Sequence, residues 1–193
     1  MWVWNWIDRL FSYLGWNAKK WNVLFLGLDD AGKTTLMHRL KDNRLVLHEP
    51  TQRPTSELFE MDNVSFRVTD MGGHEAARII WREYGVQADA IIFMVDAAAR
   101  DRFEEARIVL HNLLKDDAMA EKPLVVLGNK IDKGDAASEE ELRQCLALPA
   151  TVGKNANGDN LVENQRAFEI FMCSVVKETG YGDAFRWVAR FLR

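Results

Sequence analysis

This chain of 193 residues lacks the features that mark several large classes of protein. It has two cysteines, Cys145 and Cys173, far apart and at no metal-ligand spacing. Neither a disulfide framework nor a structural zinc site is encoded, and reduced thiols in a cytosolic compartment are expected. It has no basic excess: the formal net charge is −4, which leaves no electrostatic footprint for nucleic acid. No apolar run approaches the roughly 20 residues that span a bilayer. Asp8 and Arg9 interrupt the N-terminal apolar stretch and no small-residue cleavage site follows, which argues against a signal peptide. Trp2 stands where N-myristoylation needs glycine, and the terminal Ala-Arg-Phe-Leu-Arg193 is no prenylation box. There is no internal repeat and no long linker. What is left has the size of one domain with a sizeable core.

What the chain does have is Gly27-Leu28-Asp29-Asp30-Ala31-Gly32-Lys33-Thr34. The run fits G-x-x-x-x-G-K-[ST] and lies between an apolar run, Val23–Leu26, and a helix-forming stretch, Leu36–Leu40. That strand–loop–helix setting is what a phosphate-cradling P-loop requires. Backbone N–H groups converge on a phosphate, the helix adds the positive end of its dipole, and Lys33 adds a mobile charge. Thr34 offers a hydroxyl to Mg²⁺. The competing reading is a tight glycine turn, and both flanks argue against it.

The rest of the chain reads as an α/β domain. Short strands are expected near Leu58–Met61 and Val64–Thr69, joined by a tight hairpin at Asp62-Asn63. Ala90–Val95 and Leu124–Leu127 are continuous apolar runs, as in strands buried on both faces. A helix begins near Asp101 with the stripe Phe103, Ala106, Leu110, Leu113 and Leu114, and Ser138 with Glu141 reads as a capping box. Residues 149–165 read as an irregular loop and Phe168–Met172 as a last strand. A closing helix carries Ala184, Phe185, Val188, Phe191 and Leu192. Alternating strands and helices predict a six-stranded, mostly parallel sheet flanked by helices, with ligands at the carboxyl ends of the strands.

Asn129-Lys130-Ile131-Asp132 selects the base. A carboxylate only accepts, so Asp132 pairs with the N1–H and N2 amine of guanine and finds no such donors on adenine. Orphaning it would cost on the order of 1–3 kcal/mol or more. Lys130 can lay its stem on the ring, and Asn129 can tie this loop to the P-loop. Asp70-Met71-Gly72-Gly73 supplies a carboxylate for Mg²⁺ and a glycine that can approach a γ-phosphate without a side chain in the way. A P-loop kinase fits less well, because Asn129–Asp132 reads guanine and no phosphate-acceptor site or lid is evident.

At these residues the chain resembles the Ras-like small GTPases of the Sar/Arf branch. Gly-Leu-Asp-Asp-Ala-Gly-Lys-Thr-Thr (27–35), Asp-Met-Gly-Gly-His (70–74) and Asn-Lys-Ile-Asp (129–132) come in the family's order. Pro-Thr-Ser-Glu (54–57), Phe-Met-Cys-Ser (171–174), Gly-Tyr-Gly (180–182) and His74 after the glycine pair narrow the likeness to the Sar family, which begins COPII coat assembly at the endoplasmic reticulum. The resemblance implies a nucleotide site of Asp29, Asp30, Ala31, Gly32, Lys33, Thr34, Thr35, Thr51, Gly73, Asn129, Lys130 and Asp132, completed by Ser174, Val175 and Val176. The last three depart from the family's usual Ser-Ala-Lys. Mg²⁺ would be held by Thr34, Asp70 and a switch threonine, Thr51 or, second, Thr55. His74 would orient the attacking water. Asp30 replaces an expected asparagine, adds a negative charge near the phosphates and is expected to loosen binding slightly. No arginine finger is evident in the chain, although Arg53 and Arg78 lie in the switch regions that the resemblance implies. By resemblance a COPII inner-coat subunit, acting as activating protein, supplies the arginine, so unaided turnover is slow; in such systems a supplied arginine is worth about 10³–10⁵-fold. A membrane-bound exchange factor is also implied.

Residues 1–18 read as a separate amphipathic helix before a GTPase domain of residues 19–193. Trp2, Val3, Trp4, Trp6, Ile7, Leu10, Phe11 and Leu14 are its membrane-binding candidates. Five of the seven tryptophans, at 2, 4, 6, 16 and 21, crowd this end, as in a membrane interface. Each large apolar side chain buried is worth about 1.5–3 kcal/mol, so several together could match a myristoyl anchor of roughly 10⁴ M⁻¹. Packing on its own domain is the competing role for such a helix. The resemblance reconciles the two: the helix is stowed with GDP and released with GTP. The expected function is a GTP-hydrolysing switch, cytoplasmic and peripheral on endoplasmic reticulum and Golgi membranes, that recruits the COPII coat. The alternatives are an Arf-like regulator at another membrane and a GTP-binding module without significant turnover.

Overall fold

The structure is a computed structural model, and it describes residues 20–42, 54–61, 64–73, 78–162 and 165–192. Six strands form one sheet: β1 (Lys20–Gly27), β2 (Thr55–Met61), β3 (Val64–Asp70), β4 (Ala90–Asp96), β5 (Leu124–Asn129) and β6 (Phe168–Met172). The helices are α1 (Lys33–Asp42), α2 (Trp81–Gln87), α3 (Phe103–Leu114), α4 (Glu139–Cys145) and α5 (Tyr181–Ala189). Sheet order is β2-β3-β1-β4-β5-β6. All neighbours are parallel except β2, which runs antiparallel to β3 with Thr55 across from Asp70. The expected parallel α/β sheet is therefore present.

Alternation along the central strands builds two cores. Val23 and Phe25 of β1, with Ile92, Met94, Val125 and Leu127, face α1 and α5. Leu24 and Leu26, with Ile91, Phe93 and Val126, face α2, α3 and α4. Strands covered on both faces must be apolar at every position, which is why β4 and β5 read as unbroken runs. The chain leaves β1 toward β3 on one side and β4 on the other. That reversal opens a crevice at the carboxyl ends of β1 and β4, and the P-loop fills it. Gly27 makes this possible: its φ is +131°, and a Cβ would fall 2.1 Å from the Met94 carbonyl oxygen.

Several local expectations need correction. Helix α2 has no apolar stripe in the sequence. Its seven residues bury Trp81 and Gly85, and the Trp81 indole donates to the Gly72 carbonyl at 3.2 Å. The closing helix ends at Ala189, before Phe191 and Leu192. These still pack: Leu192 is buried and Phe191 lies 4.5 Å from the Trp187 ring. Trp21 is a buried residue of β1, so the tryptophan-rich end is partly core. The capping box at Ser138 is formed with both of its hydrogen bonds. Cys145 is exposed and Cys173 buried, both free. Among the described residues of 149–165 there is one 3-10 turn, Gly158–Asn160. Among the described residues no helix is long and apolar enough to cross a membrane. The hairpin tip Asp62-Asn63 lies outside the described residues.

Candidate nucleotide site

Four loops at the carboxyl ends of β1, β3, β5 and β6 meet. The first turns from Gly27 into α1, whose first helical bond is Leu36 N–H to Gly32 O at 2.9 Å. Asp30, on the rim, takes a left-handed φ of +58° that asparagine and aspartate tolerate. Ala31 is buried, and Thr35 sits half-buried in the first turn of α1. Lys33 is buried and curls over the loop. Its ammonium donates to Gly27 O at 3.1 Å and Leu28 O at 2.7 Å. Burial pulls it down to about 8, against the opposing pull of the Asp70 and Asp29 carboxylates. A buried cation anchored on two loop carbonyls at a helix N-terminus is a strong point of attachment for a phosphate.

Asp70 ends β3 with its side chain fully buried, and Thr34 donates its hydroxyl to Asp70 Oδ2 at 2.5 Å. A hydroxyl and a carboxylate that converge are hard oxygen donors, the kind Mg²⁺ takes. Among the described residues no group of three or more His, Cys, Asp or Glu side chains could hold a metal. A magnesium ion here would rely on phosphate and water oxygens for the rest of its shell, as is usual for that ion. The residues fit it. Thr55 stands exposed at the start of β2, across the ladder from Asp70.

On the far side Asn129 ends β5, buried. Its amide donates to Ala31 O at 2.9 Å, while its oxygen accepts from Val175 N–H at 3.1 Å and from the Cys173 thiol at 3.6 Å. One side chain thus ties the P-loop to the loop after β6. Lys130, at φ +68°, is held between Asp96 (2.8 Å) and Asp30 (3.1 Å). Burial works against its charge, but the two carboxylates prevail and hold it above its ordinary value. Asp132 is exposed and accepts from the Ser174 hydroxyl, which holds its carboxyl below the usual range and so keeps it an acceptor. Burial pushes the Cys173 thiol up to about 12. Val175 is buried and Val176 half exposed.

Gly73 lies against the P-loop. It is tied to α3 by residues that carry no motif. Arg78 donates to Gly73 O and pairs with Glu105, and Arg102 pairs with both Glu105 and Asp29. Arg102, Glu105 and Asp96 were not singled out by the sequence, and nothing in their local spacing marks them. His74, Thr51 and the segment of Trp2, Val3, Trp4, Trp6, Ile7, Leu10, Phe11 and Leu14 lie outside the described residues.

A P-loop whose lysine is buried, joined by one asparagine to a loop with an exposed carboxylate, is the arrangement of a nucleotide-binding α/β protein. The ADP-ribosylation factor family profile matches residues 7–192. The small COPII coat GTPase SAR1 of Giardia intestinalis is 40% identical over 97% of this chain and 98% of its own. That of Nicotiana tabacum is 36% identical over the whole of both chains. The structure of the Arl6 BBS3 small GTPase from Trypanosoma brucei with bound nucleotide analogue GppNp is similar, with a TM-score of 0.74. It is 29% identical over 89% of this chain and 96% of that one. The chain belongs to the ADP-ribosylation factor family and is similar over its full length to Sar GTPases. It binds guanine nucleotide and hydrolyses GTP.

Proposed function

We propose that this GTPase is the switch that starts COPII coat assembly on the endoplasmic reticulum. The observation that carries the reading is the full-length similarity to SAR1 proteins together with the tryptophan-rich residues 1–18. Loop amides of Asp29 to Thr35 and the Lys33 ammonium bind the phosphates. Asp132 accepts from the guanine edge, Lys130 packs on the ring, and Ser174, Val175 and Val176 close the base pocket. Thr34, Asp70 and a switch threonine, Thr51 or Thr55, hold Mg²⁺, which when bound neutralises charge on the outer phosphates. Hydrolysis of a γ-phosphoryl group depends on positioning and charge more than on covalent chemistry. Gly73 presents its backbone to the γ-phosphate and His74 orients the attacking water. An arginine from a COPII inner-coat subunit completes the site, and a membrane-bound exchange factor reloads it.

Residues 1–18 form a membrane-binding helix apart from the GTPase domain of residues 19–193. With GTP bound, Trp2, Val3, Trp4, Trp6, Ile7, Leu10, Phe11 and Leu14 insert, placing the protein on endoplasmic reticulum and Golgi membranes. Liposome flotation tests this. The full chain should float with a non-hydrolysable GTP analogue and stay in solution with GDP; equal binding in both states sinks the proposal. In the same preparation His74→Ala should keep nucleotide binding and lose stimulated phosphate release, and unchanged release would remove His74 from the mechanism. The worm ADP-ribosylation factor-like protein 1 of Caenorhabditis elegans, 36% identical over 91% of each chain, favours a second reading as a regulator at another membrane. Localisation of the tagged protein separates the two.

A further inference from the structure

Gly73 is pressed onto the P-loop. A Cβ on it would fall 2.0 Å from the Asp29 amide nitrogen, 2.2 Å from the Leu28 carbonyl carbon and 2.7 Å from Gly27 O. Gly27 O is also an acceptor for the Lys33 ammonium, the group that reaches outer phosphates in a P-loop. Gly73 therefore stands on the side of the P-loop where the third phosphate of a nucleotide would extend.

A chain of charged contacts keeps it there. Arg78 Nε donates to Gly73 O at 2.8 Å, and Arg78 Nη2 reaches Glu105 Oε1 at 2.6 Å. The second oxygen of Glu105 accepts from Arg102 Nη2 at 2.8 Å and Nε at 3.2 Å. Arg102 then donates to Asp29 Oδ1 at 2.8 Å and Asp29 O at 3.2 Å. The path starts at Gly73 and closes on Asp29, the residue whose amide Gly73 covers. Glu105 is the link on α3, outside both loops, and each of its oxygens serves one arginine.

We propose that Glu105 fastens a latch, Arg78–Glu105–Arg102–Asp29, that holds Gly73 down on the P-loop and so sets the preference between guanosine di- and triphosphate. A diphosphate can occupy the loop amides with the latch shut. A γ-phosphate needs Gly73 to lift, and Gly73 cannot lift while Arg78 holds both its carbonyl and Glu105. The latch weighs on one ligand and not the other, and only such a difference shifts a two-state equilibrium. Charge-assisted bonds to both oxygens of one carboxylate make it strong for its exposure, and salt should weaken it. The low carboxyl of Glu105, held there first by its bond to Arg78, agrees with a carboxylate engaged on both sides. Glu105 is a positioning residue and touches no nucleotide.

The test is competition of GDP and a non-hydrolysable GTP analogue against fluorescent GDP, on the full chain. Glu105→Gln should raise relative affinity for the triphosphate about three- to tenfold, with GDP affinity nearly unchanged. Arg78→Lys keeps the charge but loses the two-headed fork, so it should shift the ratio the same way by less. Glu104→Gln is the control, because Glu104 pairs with Arg107 on the exposed face of α3. An unchanged ratio in Glu105→Gln, equal weakening of both nucleotides, or a shift toward GDP overturns the latch. If the wild type bound no guanine nucleotide, the proposed reading of the nucleotide site would fail instead.

Discussion

Asp30 stands on the rim of the P-loop with its side chain 86% exposed, at a position where the family resemblance leads asparagine to be expected. Its partner Lys130 is anchored independently by Asp96 at 2.8 Å. Removing the Asp30 charge should therefore leave Lys130 in place and relieve repulsion of the nucleotide phosphates. Asn also tolerates the left-handed backbone at this position. Asp30→Asn is expected to slow GDP release about threefold, the size of one water-screened charge at roughly 6 Å. Displacement of fluorescent GDP by unlabelled GDP measures it, and the difference should shrink in high salt. Release as fast as or faster than wild type would show that the Asp30 charge does not loosen the site.

At the scale of elements, α4 is pinned to the edge strand β6 by one buried ion pair. Glu169 is 1% exposed and accepts from Arg143 at 2.7 Å and from its neighbouring Ile170 N–H at 2.9 Å. Arg143→Leu strands that carboxylate and should cost about 3–5 kcal/mol, read from the urea midpoint. Arg143→Leu with Glu169→Leu should recover most of the loss, because two apolar groups need no partner. A double variant as unstable as the single one would show that packing, not the orphaned charge, sets the cost. The helices differ in how far the sequence foretold them. Helix α4 is legible because Ser138 and Glu141 cap it within four residues. Helix α2 is not, because its seven residues contain Gly85 and owe their place to Trp81 filling a gap beside Gly72. Helix α5 is legible in its apolar face but not in its end, since Phe191 and Leu192 continue the packing after the helix stops.

Across the whole molecule several carboxylates are held low by partners distant in sequence. Hydrogen bonds from Arg102, Arg78 and Ser174 depress Asp29, Glu105 and Asp132 respectively. Burial would raise Glu139, but Lys154 and Arg143 prevail and lower it. The ordinary values are 3.8 for aspartate and 4.5 for glutamate. The unfolded chain thus binds more protons than the folded one between those values and the depressed ones. Stability from these groups is full above the ordinary values and is lost as pH falls through the folded ones. With GDP at a fixed saturating level, the unfolding midpoint should hold from pH 7 to about 5 and fall below about 4.5. A midpoint flat to pH 3 would mean that these pairs add nothing.

The amino-acid sequence by itself determined whatever is encoded in a short span. The P-loop needs eight residues between a strand and a helix. The central strands are unbroken apolar runs because both of their faces are covered. The expectation that Asp132 pairs with guanine rests on a carboxylate being acceptor-only. The tertiary structure alone decided which distant groups meet. Thr34 reaches Asp70 because β3 lies beside β1 in register. Trp21 is core because β1 is central, although it sits in a tryptophan-rich stretch. Arg78, Glu105 and Arg102 join Gly73 to Asp29 only because α3 packs beside both loops. Periodicity and motifs report a residue's own neighbourhood, while charge pairs between loops follow from the order of strands in the sheet.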